Sequence, residues 1–520
     1  MNLSRLKYLG LLPLLASVGA QPLKSQPQSL DLPRIPNAGT PRNVVFILSD
    51  DHRHDFMGFM KRLPWLETPN MDRMAREGAH LRNAFVTTSL CSPSRASILT
   101  GMYSHQHTVV DNAAPVPGNL VFFPQYLQKA GYRTAFFGKW HMGKATAAPR
   151  PGFDHWESFR GQGKYYGVTL NINGKPTKYD DKTYTTDLLT EHAINWMKEQ
   201  QNSGRPFFVY LSHKAVHSNF SPAARHAGCY AGKEVPLPRS YKTPNYGTPA
   251  LPSTDAKTGA PAGGAAYYGE TMHPDWLKAQ RESHHGVDYA YHGRHPWKDE
   301  VVRYCETLRA LDDSIGSVIA YLKEAGLYES TLVIYMGDNG FSWGEHGVID
   351  KRHFYEESVR VPMLATCPEL FRDGQVVENM IQNTDIAPTI LELAGLQKPG
   401  HMVGSSFVPL LKGKQTPWRD RIFYEYYWEY NHPETPTMHG VRTDRYKLVR
   451  YYGIWDCNEF YDLQNDPDEM RNLIAAPEHQ ALIKQLTGEL YDWLESTGGM
   501  SIPLKRTVRP HADHRNKGTY

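Results

Sequence analysis

The chain has 520 residues and a formal net charge of +3, which excludes a strongly basic nucleic-acid-binding protein. Hydrophobic residues make up 40% and aromatic residues 12% of the chain, so we expect a packed core and exclude an intrinsically disordered protein. The length suits one large domain with a smaller one beside it.

The first twenty residues have the organisation of a signal peptide. Arg5 and Lys7 precede a short apolar run over residues 9–15, and Val18-Gly19-Ala20 forms a small-residue cleavage site. The apolar run is too short to span a bilayer, and no later segment predicts a transmembrane helix. We therefore predict an exported protein, periplasmic or secreted, in which residues 21–42 form a loose N-terminal arm.

Export permits disulfide bonds, and the chain contains five cysteines. An odd number leaves at least one cysteine unpaired or modified. If Cys91 is the modified one, Cys229, Cys305, Cys367 and Cys457 can pair, and the sequence leaves their pairing open.

Continuous apolar, β-branched runs predict buried parallel strands, each followed by polar residues. With helices between them, these runs indicate an α/β domain with a mostly parallel central sheet, which we assign to residues 43–411. Open α/β sheets bind ligands at the carboxyl ends of their strands, so the polar residues there are candidate site residues. The runs and their sequels are residues 43–48 with Asp50-Asp51, residues 134–137 with Lys139 and His141, residues 207–211 with His213 and His217, and residues 331–336 with Asp338-Asn339.

The stretch TTSLCSPSRASILTG, residues 87–101, contains Cys91 beside a predicted helix over residues 93–100. Pro93 suits the first turn and Gly101 suits a C-terminal cap. Cys91 would thus lie just before a helix N-terminus, which favours an anion or an activated nucleophile. An isolated C-x-P-x-R motif also fits a buried or disulfide-bonded cysteine.

Acidic and amide side chains at two predicted strand ends indicate a metal site. Asp50, Asp51, Asp338 and Asn339 offer only oxygen ligands, which suit Ca²⁺ or Mg²⁺ rather than zinc. A solvated turn is the other interpretation of Asp50-Asp51 alone.

The pattern changes twice in the second half of the chain. Residues 218–298 are rich in Gly, Pro, Ala, Tyr and His, and we interpret them as an insertion that shapes the cleft, or else as a flexible surface loop. A long amphipathic helix is predicted over residues 299–325. Residues 412–500 contain short aromatic strands and a helix, which predict a smaller C-terminal α+β subdomain with an antiparallel sheet. Residues 501–520 form a basic tail.

Two strings resemble the signatures of the type I sulfatases. Cys91-Ser92-Pro93-Ser94-Arg95, ending in Leu-Thr-Gly at residues 99–101, resembles the maturation signature, and GKWHMG from Gly138 resembles the second one. Asp50-Asp51, the His217 strand, GDNG with Lys351, and RTDRYKLVRYY in the C-terminal subdomain extend the resemblance over most of the chain. It implies an alkaline-phosphatase-like fold: a central mostly parallel sheet flanked by helices.

The resemblance also implies a cofactor, a modification and a partner. Cys91 would be oxidised to formylglycine by a maturation enzyme, and the hydrate of that aldehyde would attack the sulfur of a sulfate ester. One Ca²⁺ ion would be held by Asp50, Asp51, Asp338, Asn339 and an oxygen of residue 91.

Individual roles follow from the same resemblance. Arg95 and Lys139 would hold the hydrate and the sulfate, and Lys351 the sulfate and the leaving oxygen. His217 would be the general acid, with His213 the weaker candidate, and His141 the base. The substrate would be a sulfated oligo- or polysaccharide, such as a glucosamine-6-sulfate glycan or the algal polysaccharide ulvan. We expect His346 and Arg352 to contact the sugar, and a closed pocket to favour exo action.

Two other functions remain open at this point. A phosphatase or phosphonate-type hydrolase of the same fold would use the same metal and nucleophile, although two-zinc phosphatases need a second set of His/Asp ligands, which the sequence does not reveal. A non-catalytic glycan-binding protein is the other alternative, and the presence of Cys91, His141, His217 and Lys351 argues against it.

Overall fold

The computed structural model describes residues 29–143, 146–241, 273–294, 296–453 and 456–503. The predicted signal peptide, the middle of the insertion (residues 242–272) and all but the start of the basic tail lie outside the described residues.

The described strands are β1 (Val44–Ser49), β2 (Ala79–Leu81), β3 (Ala84–Phe85), β4 (Arg133–Gly138), β5 (His155–Ser158), β6 (Thr169–Ile172), β7 (Lys175–Lys178), β8 (Phe207–Ser212), β9 (Leu332–Gly337), β10 (Met363–Thr366), β11 (Gln375–Val377), β12 (Ile381–Gln382), β13 (Arg421–Tyr426), β14 (Thr437–Thr443), β15 (Tyr446–Tyr452) and β16 (Glu459–Asp462). The described helices are α1 (Pro69–Glu77), α2 (Cys91–Thr100), α3 (Ser104–His107), α4 (Phe123–Lys129), α5 (Thr185–Gln200), α6 (Asp275–Glu282), α7 (Ala290–Gly293), α8 (Trp297–Glu324), α9 (Glu356–Val359), α10 (Ile386–Leu393), α11 (Val408–Leu411) and α12 (Gln480–Thr497).

A large mixed sheet forms the centre of the molecule, in the order β11-β2-β10-β9-β1-β8-β4-β5-β6-β7. Its middle strands β9, β1, β8, β4 and β5 are mutually parallel, whereas β10, β6 and β7 run antiparallel to their neighbours. The prediction of a mostly parallel central sheet is confirmed. The five parallel strands place their carboxyl ends on one edge.

The continuous apolar strands are buried on both faces. Val44, Phe46 and Leu48 of β1 pack into one core cluster, while Val45 and Ile47 point into the cluster on the opposite face. Helices α5 and α8 contribute to the second cluster. Because neither face meets water, these strands have no polar alternation, which is why the apolar runs identified them.

The C-terminal part is a four-stranded antiparallel sheet, in the order β13-β14-β15-β16. Ile483 and Leu486 of α12 pack against Val441, Leu448 and Phe460 of this sheet. The predicted antiparallel sheet with one helix is therefore confirmed.

The described part of the N-terminal arm is not loose. The Ile35 backbone N–H donates to the Gly395 carbonyl over 2.9 Å, and the Gln397 N–H donates to the Pro33 carbonyl over 2.9 Å. These bonds fix the arm beside the end of α10. The expectation of a loose arm is therefore wrong for this part. The Pro- and Gln-containing sequence of the arm does not indicate these backbone hydrogen bonds.

All five cysteines lie among the described residues, and none forms a disulfide bond. Cys229 is exposed, and the other four are buried thiols. No helix in the described ranges combines the length and apolarity that a membrane span needs.

Candidate active site

The pairing of β1 with β9 brings the two acidic motifs together. Ser49 is in register with Gly337, so Asp50 and Asp51 follow one strand where Asp338 and Asn339 follow its neighbour. The Asp51 backbone N–H donates to Asp338 Oδ1 over 3.1 Å, and Asn339 Nδ2 donates to Asp51 Oδ1 over 2.8 Å. Parallel pairing therefore converts a separation of almost 290 residues into direct contact.

These four side chains fit a hard divalent cation. Oxygen atoms of Asp50, Asp51 and Asp338 lie within 4.8 Å of one another, and the Oδ1 atom of Asn339 is buried without a hydrogen-bond partner. Burial and the neighbouring Asp50 raise the pKa of Asp338 to about 7. An unpartnered buried carbonyl oxygen beside carboxylates that repel one another is a donor set that suits Ca²⁺ or Mg²⁺.

Cys91 is the first residue of α2. The sequence had predicted that it lies just before the helix. Its Sγ atom lies 3.4 Å from Asp50 Oδ1 and 3.3 Å from Lys351 Nζ. Burial and Asp50 raise the pKa of the thiol to about 12. The thiol is therefore neutral at physiological pH, which argues against an activated thiolate nucleophile at this position.

Two lysines lie on either side of Cys91. Lys139, directly after β4, forms an ion pair with Asp50 and has its Nζ atom 3.8 Å from Sγ. Lys351 forms an ion pair with Asp51. Burial opposes the charge of Lys351, but Asp51 holds the pKa of this ammonium well above its usual range. Two ion-paired lysines are thus held in the interior beside position 91.

Arg95 is buried one turn into α2 and joins three strand ends. Its Nε atom donates to Asp338 Oδ2 over 2.9 Å, and its Nη1 atom donates to the Lys139 carbonyl and to Ser212 Oγ, both over 2.7 Å. These residues end or follow β9, β4 and β8. The guanidinium thereby fixes the frame that carries the acidic residues and Lys139.

His217 and His213 follow the same strand but have different surroundings. His217 Nε2 lies 3.8 Å from Asp51 Oδ2, and its Nδ1 lies 2.8 Å from the Ser218 carbonyl. Burial, together with Lys139 and Lys351, lowers the pKa of His217 well below its usual range. His213 instead bonds to Ser314 Oγ of α8 over 3.0 Å, inside the core. The geometry thus brings His217 to the site and leaves His213 out of it.

His141 lies two residues after Lys139 in a left-handed backbone conformation, with a φ of 48°. Its Nδ1 atom is buried without a hydrogen-bond partner. Burial and Lys139 lower the pKa of this imidazole well below its usual range. His141 therefore offers a neutral ring with an unused nitrogen.

A narrow cleft opens beside these groups. Asp51, His217 and Lys351 form its floor, and His285, Tyr291 and His292 come from the predicted insertion. The insertion therefore does line the cleft in its described part. Further lining residues that the sequence did not single out are Asn112, Gln162, Phe341 and Asp350.

Arg352 and His346 have different positions relative to the cleft. Arg352 lines it, and the guanidinium donates to Asp350 Oδ1 over 2.7 Å and to Glu429 Oε1 over 2.6 Å. His346 is only 1% exposed and stacks on Tyr355, with the ring centroids 3.9 Å apart. It does not line the cleft, so the expectation that His346 contacts sugar is wrong for this conformation.

A second group of possible metal ligands lies outside the aspartate site. Nitrogen atoms of His284, His285 and His432 come within 4.8 Å of one another, and none of these residues belongs to the other ligand groups. The sequence did not reveal this set, because His432 lies about 150 residues after the other two.

The chain matches known protein families over most of its length. A family model described as Sulfatase matches residues 42–396, and one described as N-sulphoglucosamine sulphohydrolase, C-terminal, matches residues 344–496. The chain is 33% identical to an N-acetylglucosamine-6-O-sulfatase of Bacteroides thetaiotaomicron, with 95% of each chain covered. It is 27% identical to the human N-acetylglucosamine-6-sulfatase, over 86% of this chain and 84% of that one.

Solved structures give the same picture. A protein solved in complex with its substrate, D-glucosamine-2-N,6-O-disulfate, has a TM-score of 0.75 and 29% identity, covering 89% of this chain and 99% of that one. A phosphonate monoester hydrolase of Agrobacterium radiobacter has a TM-score of 0.67 at 21% identity, covering 88% and 96%. The latter likeness concerns the fold alone, which sulfatases and phosphonate hydrolases share.

Proposed function

The chain belongs to the sulfatase family and is a sulfate ester hydrolase, and from that premise we propose that it removes 6-O-sulfate from glucosamine residues at the ends of glycan chains. We propose further that it does so outside the cytoplasm, with Ca²⁺ and with a formylglycine made from Cys91. The alternative is a phosphatase or phosphonate hydrolase, which the shared fold also permits.

The choice of sugar is supported by the relatives. The bacterial and human proteins named above are N-acetylglucosamine-6-sulfatases, and they match more than four fifths of this chain. The solved complex contains a glucosamine that carries a 6-O-sulfate. Ulvan has no such support, so it serves as a comparison substrate in the experiment below.

The single observation that carries the proposal is the surroundings of Cys91 Sγ. This atom lies 3.3 Å from Lys351 Nζ and 3.4 Å from Asp50 Oδ1, and Lys351 lines the cleft. A neutral, buried thiol is a weak nucleophile at this position. An oxygen nucleophile at position 91 would lie close to a cation and to the predicted metal ligands.

Two groups would supply chemistry that the side chains lack. Formylglycine, once hydrated, would supply an oxygen nucleophile toward sulfur. Ca²⁺ held by Asp50, Asp51, Asp338 and Asn339 would neutralise negative charge on the sulfate.

The side chains of this chain account for positioning and charge. Lys139 and Lys351 are held beside position 91 by their ion pairs with Asp50 and Asp51, so they attract and orient an anionic sulfate. Arg95 keeps Asp338 and the Lys139 backbone in register. The buried site excludes water, which strengthens each of these interactions.

Two histidines suit the proton transfers. Nδ1 of His217 donates to the Ser218 carbonyl, which directs Nε2 toward the site. Burial keeps His217 neutral here, and an anionic ester beside it would raise its pKa and load it with the proton that the leaving sugar hydroxyl needs. His141 is neutral with an unpartnered Nδ1, so it can accept a proton from residue 91.

The cleft favours a chain end. The cleft is narrow, and a narrow pocket admits the end of a glycan chain more easily than its middle. The insertion residues Tyr291 and His292 line it together with Arg352, which is tied to Glu429 of the C-terminal subdomain. We therefore propose exo action.

The experiment is a desulfation panel on the purified, matured protein. N-acetylglucosamine-6-sulfate, oligosaccharides with a terminal or an internal 6-O-sulfate, ulvan oligosaccharides, an aryl sulfate, an aryl phosphate and an aryl phosphonate are compared by kcat/KM. We expect the terminal glucosamine-6-sulfate substrates to be fastest and Cys91→Ala to be inactive on all of them. Faster ulvan desulfation would overturn the sugar assignment, faster internal release the exo assignment, and a preferred phosphate or phosphonate the reaction assignment.

Export is tested separately by cell fractionation of a bacterial host that expresses the chain with its own N-terminus. We expect the mature protein in the periplasm or medium, beginning at Gln21. Recovery of the uncleaved chain in the cytoplasm would contradict the proposed location.

A further inference from the structure

Three histidines from two distant parts of the chain converge at the wall of the cleft. His284 and His285 follow α6 in the insertion, and His432 lies in the loop between β13 and β14 of the C-terminal subdomain. All three are at least nine-tenths buried. One nitrogen from each comes within 4.8 Å of the other two. Side chains so arranged need only a small closing movement to share one ion, because zinc–imidazole distances are about 2.0–2.1 Å.

The backbone around this group is fixed independently of any ligand. The Ile349 N–H donates to the His285 carbonyl over 2.8 Å, and the His292 N–H donates to the His284 carbonyl over 2.7 Å. The His432 N–H donates to the Glu429 carbonyl over 3.2 Å. The imidazoles are thus presented by anchored segments.

A carboxylate orients one of the rings. Asp350 Oδ1 lies 3.3 Å from His285 Nδ1. At histidine-bound zinc a carboxylate commonly accepts from the ring nitrogen that does not bind the metal, and Asp350 is close enough to His285 to take this role. The same Asp350 oxygen accepts from Arg352, whose charge is also shared with Glu429.

The pKa of two of the imidazoles in and beside this group is lowered, which favours the neutral form that binds a metal. Burial, followed by Arg352 and His285, lowers the pKa of His432 well below its usual range. Burial, followed by His285 and His284, lowers the pKa of the adjacent His292 to about 2. The ring centroid of His292 lies 5.0 Å from that of His285 and 5.1 Å from that of His284, so it is placed as a possible fourth ligand.

We propose that His284, His285 and His432 form a second metal site, separate from the oxygen site at Asp50 and suited to Zn²⁺. Nitrogen ligands select zinc over calcium, which prefers oxygen. The ion would tie the insertion to the C-terminal subdomain. Because His285 and His292 line the cleft, it would also set the shape of the cleft wall. This site goes beyond the proposed reaction and does not depend on the state of Cys91.

The test uses the full-length protein carrying Cys91→Ala, with Ca²⁺ in excess to saturate the oxygen site. Co²⁺ replaces Zn²⁺ as a visible probe, since a tetrahedral nitrogen site gives intense absorption bands that an oxygen site does not. We compare this background with added His284→Ala, added His432→Ala and, as a matched control, added His226→Ala. His226 bonds to Asp313 over 2.6 Å at a distant surface.

We expect one Co²⁺ per chain with tetrahedral bands in the background and in the His226→Ala control, displaced by Zn²⁺. Both cluster variants should lose the bands and bind Zn²⁺ at least about 100-fold more weakly. Zn²⁺ should raise the midpoint of thermal unfolding only where the site is intact, and the midpoint without Zn²⁺ reports whether each variant folds. Absence of tetrahedral bands in the background, or their persistence in either folded cluster variant, would show that these histidines only line the sugar pocket.

Discussion

The Nζ atom of Lys351 lies 3.3 Å from the Sγ atom of Cys91, although 260 residues separate them in sequence. Lys351 is held there by its ion pair with Asp51. The side chain at position 91 is therefore bracketed by a fixed cation and by the predicted metal ligands. We therefore expect substitutions at position 91 to alter the reactive group without moving the residues around it.

Replacing Cys91 by Ala tests the nucleophile. We expect turnover of an aryl sulfate to fall by at least about 10³-fold, as when other covalent nucleophiles are removed, with the free energy of unfolding changed by no more than about 2 kcal/mol. Cys91→Ser should be equally inactive where the maturation enzyme accepts only cysteine. Rates and urea unfolding are measured on the same preparations. Near-native turnover by Cys91→Ala would refute the role of residue 91.

The modification leaves a mass signature. Conversion of Cys91 to formylglycine replaces sulfur by oxygen and removes two hydrogens, so the tryptic peptide that ends at Arg95 should be lighter by about 18 Da. The fraction of light peptide should track specific activity when the protein is made in hosts with and without a maturation enzyme. Full activity in a sample whose Cys91 is entirely thiol would disprove the mechanism.

Removal of Ca²⁺ tests the oxygen site. A calcium-selective chelator should abolish activity, and added Ca²⁺ should restore it. Removal of the ion should also lower the midpoint of thermal unfolding, because like-charged buried carboxylates are left uncompensated. Asp338→Asn should need at least about tenfold more Ca²⁺ for half-maximal activity. Asp187→Asn, at an exposed ion pair with Arg225, is the matched control. Undiminished turnover by a calcium-free preparation would contradict the metal assignment.

Arg352 tests sugar recognition. Its guanidinium lines the cleft and is paired with Asp350 and Glu429, so we expect Arg352→Ala to lower kcat/KM for the oligosaccharide at least about tenfold more than for an aryl sulfate. Arg352→Lys keeps the charge but not the planar group that bridges Asp350 and Glu429, and it should have an intermediate effect. Thermal midpoints show whether the two buried carboxylates, left unpaired, destabilise the fold. Equal losses on both substrates would remove Arg352 from the sugar site.

His213 gives a prediction for acid stability. Burial lowers the pKa of His213 to about 3, so between that value and 6.5 the unfolded chain binds a proton that the folded chain does not. Stability contributed by this neutral ring is therefore present above about pH 6.5 and is lost as the pH falls. The single group should remove about 2 kcal/mol between pH 7 and pH 5.

His213→Gln should flatten this part of the pH dependence of urea unfolding. Ser314→Ala removes the hydrogen-bond partner of the ring but keeps the titrating group, so it should retain the wild-type slope. An unchanged slope in His213→Gln would show that the imidazole is protonated in the folded state.

Local sequence was sufficient for the central strands and for most of the candidate site. Strands such as Val44–Ser49 are buried on both faces. Their apolar residues are therefore continuous, and the strand can be recognised in the sequence. Parallel strands end on one edge, which is why Asp50 and Asp338 could be expected to meet. The string from Cys91 to Arg95 resembled a known signature because its residues are adjacent in sequence.

Other features depended on contacts between distant segments. His346 lies close to Lys351 in sequence. Its ring nevertheless stacks on Tyr355 inside the fold, because the backbone forms a turn around His346. Asn112 and Gln162 line the cleft from separate loops, with no periodic pattern around either residue. The adjacent Asp350-Lys351-Arg352 run was the one local signal from which Asp350 could have been found.

The sequence by itself determined the fold class, the acidic strand ends and the residue types of the reaction, because these follow from burial on both sheet faces and from short contiguous motifs. Only the tertiary structure decided which histidines face the site, how narrow the cleft is, and that His284, His285 and His432 meet. Those properties arise from packing between segments that are distant in sequence, and such packing is set by the shape of both surfaces rather than by the pattern along either segment.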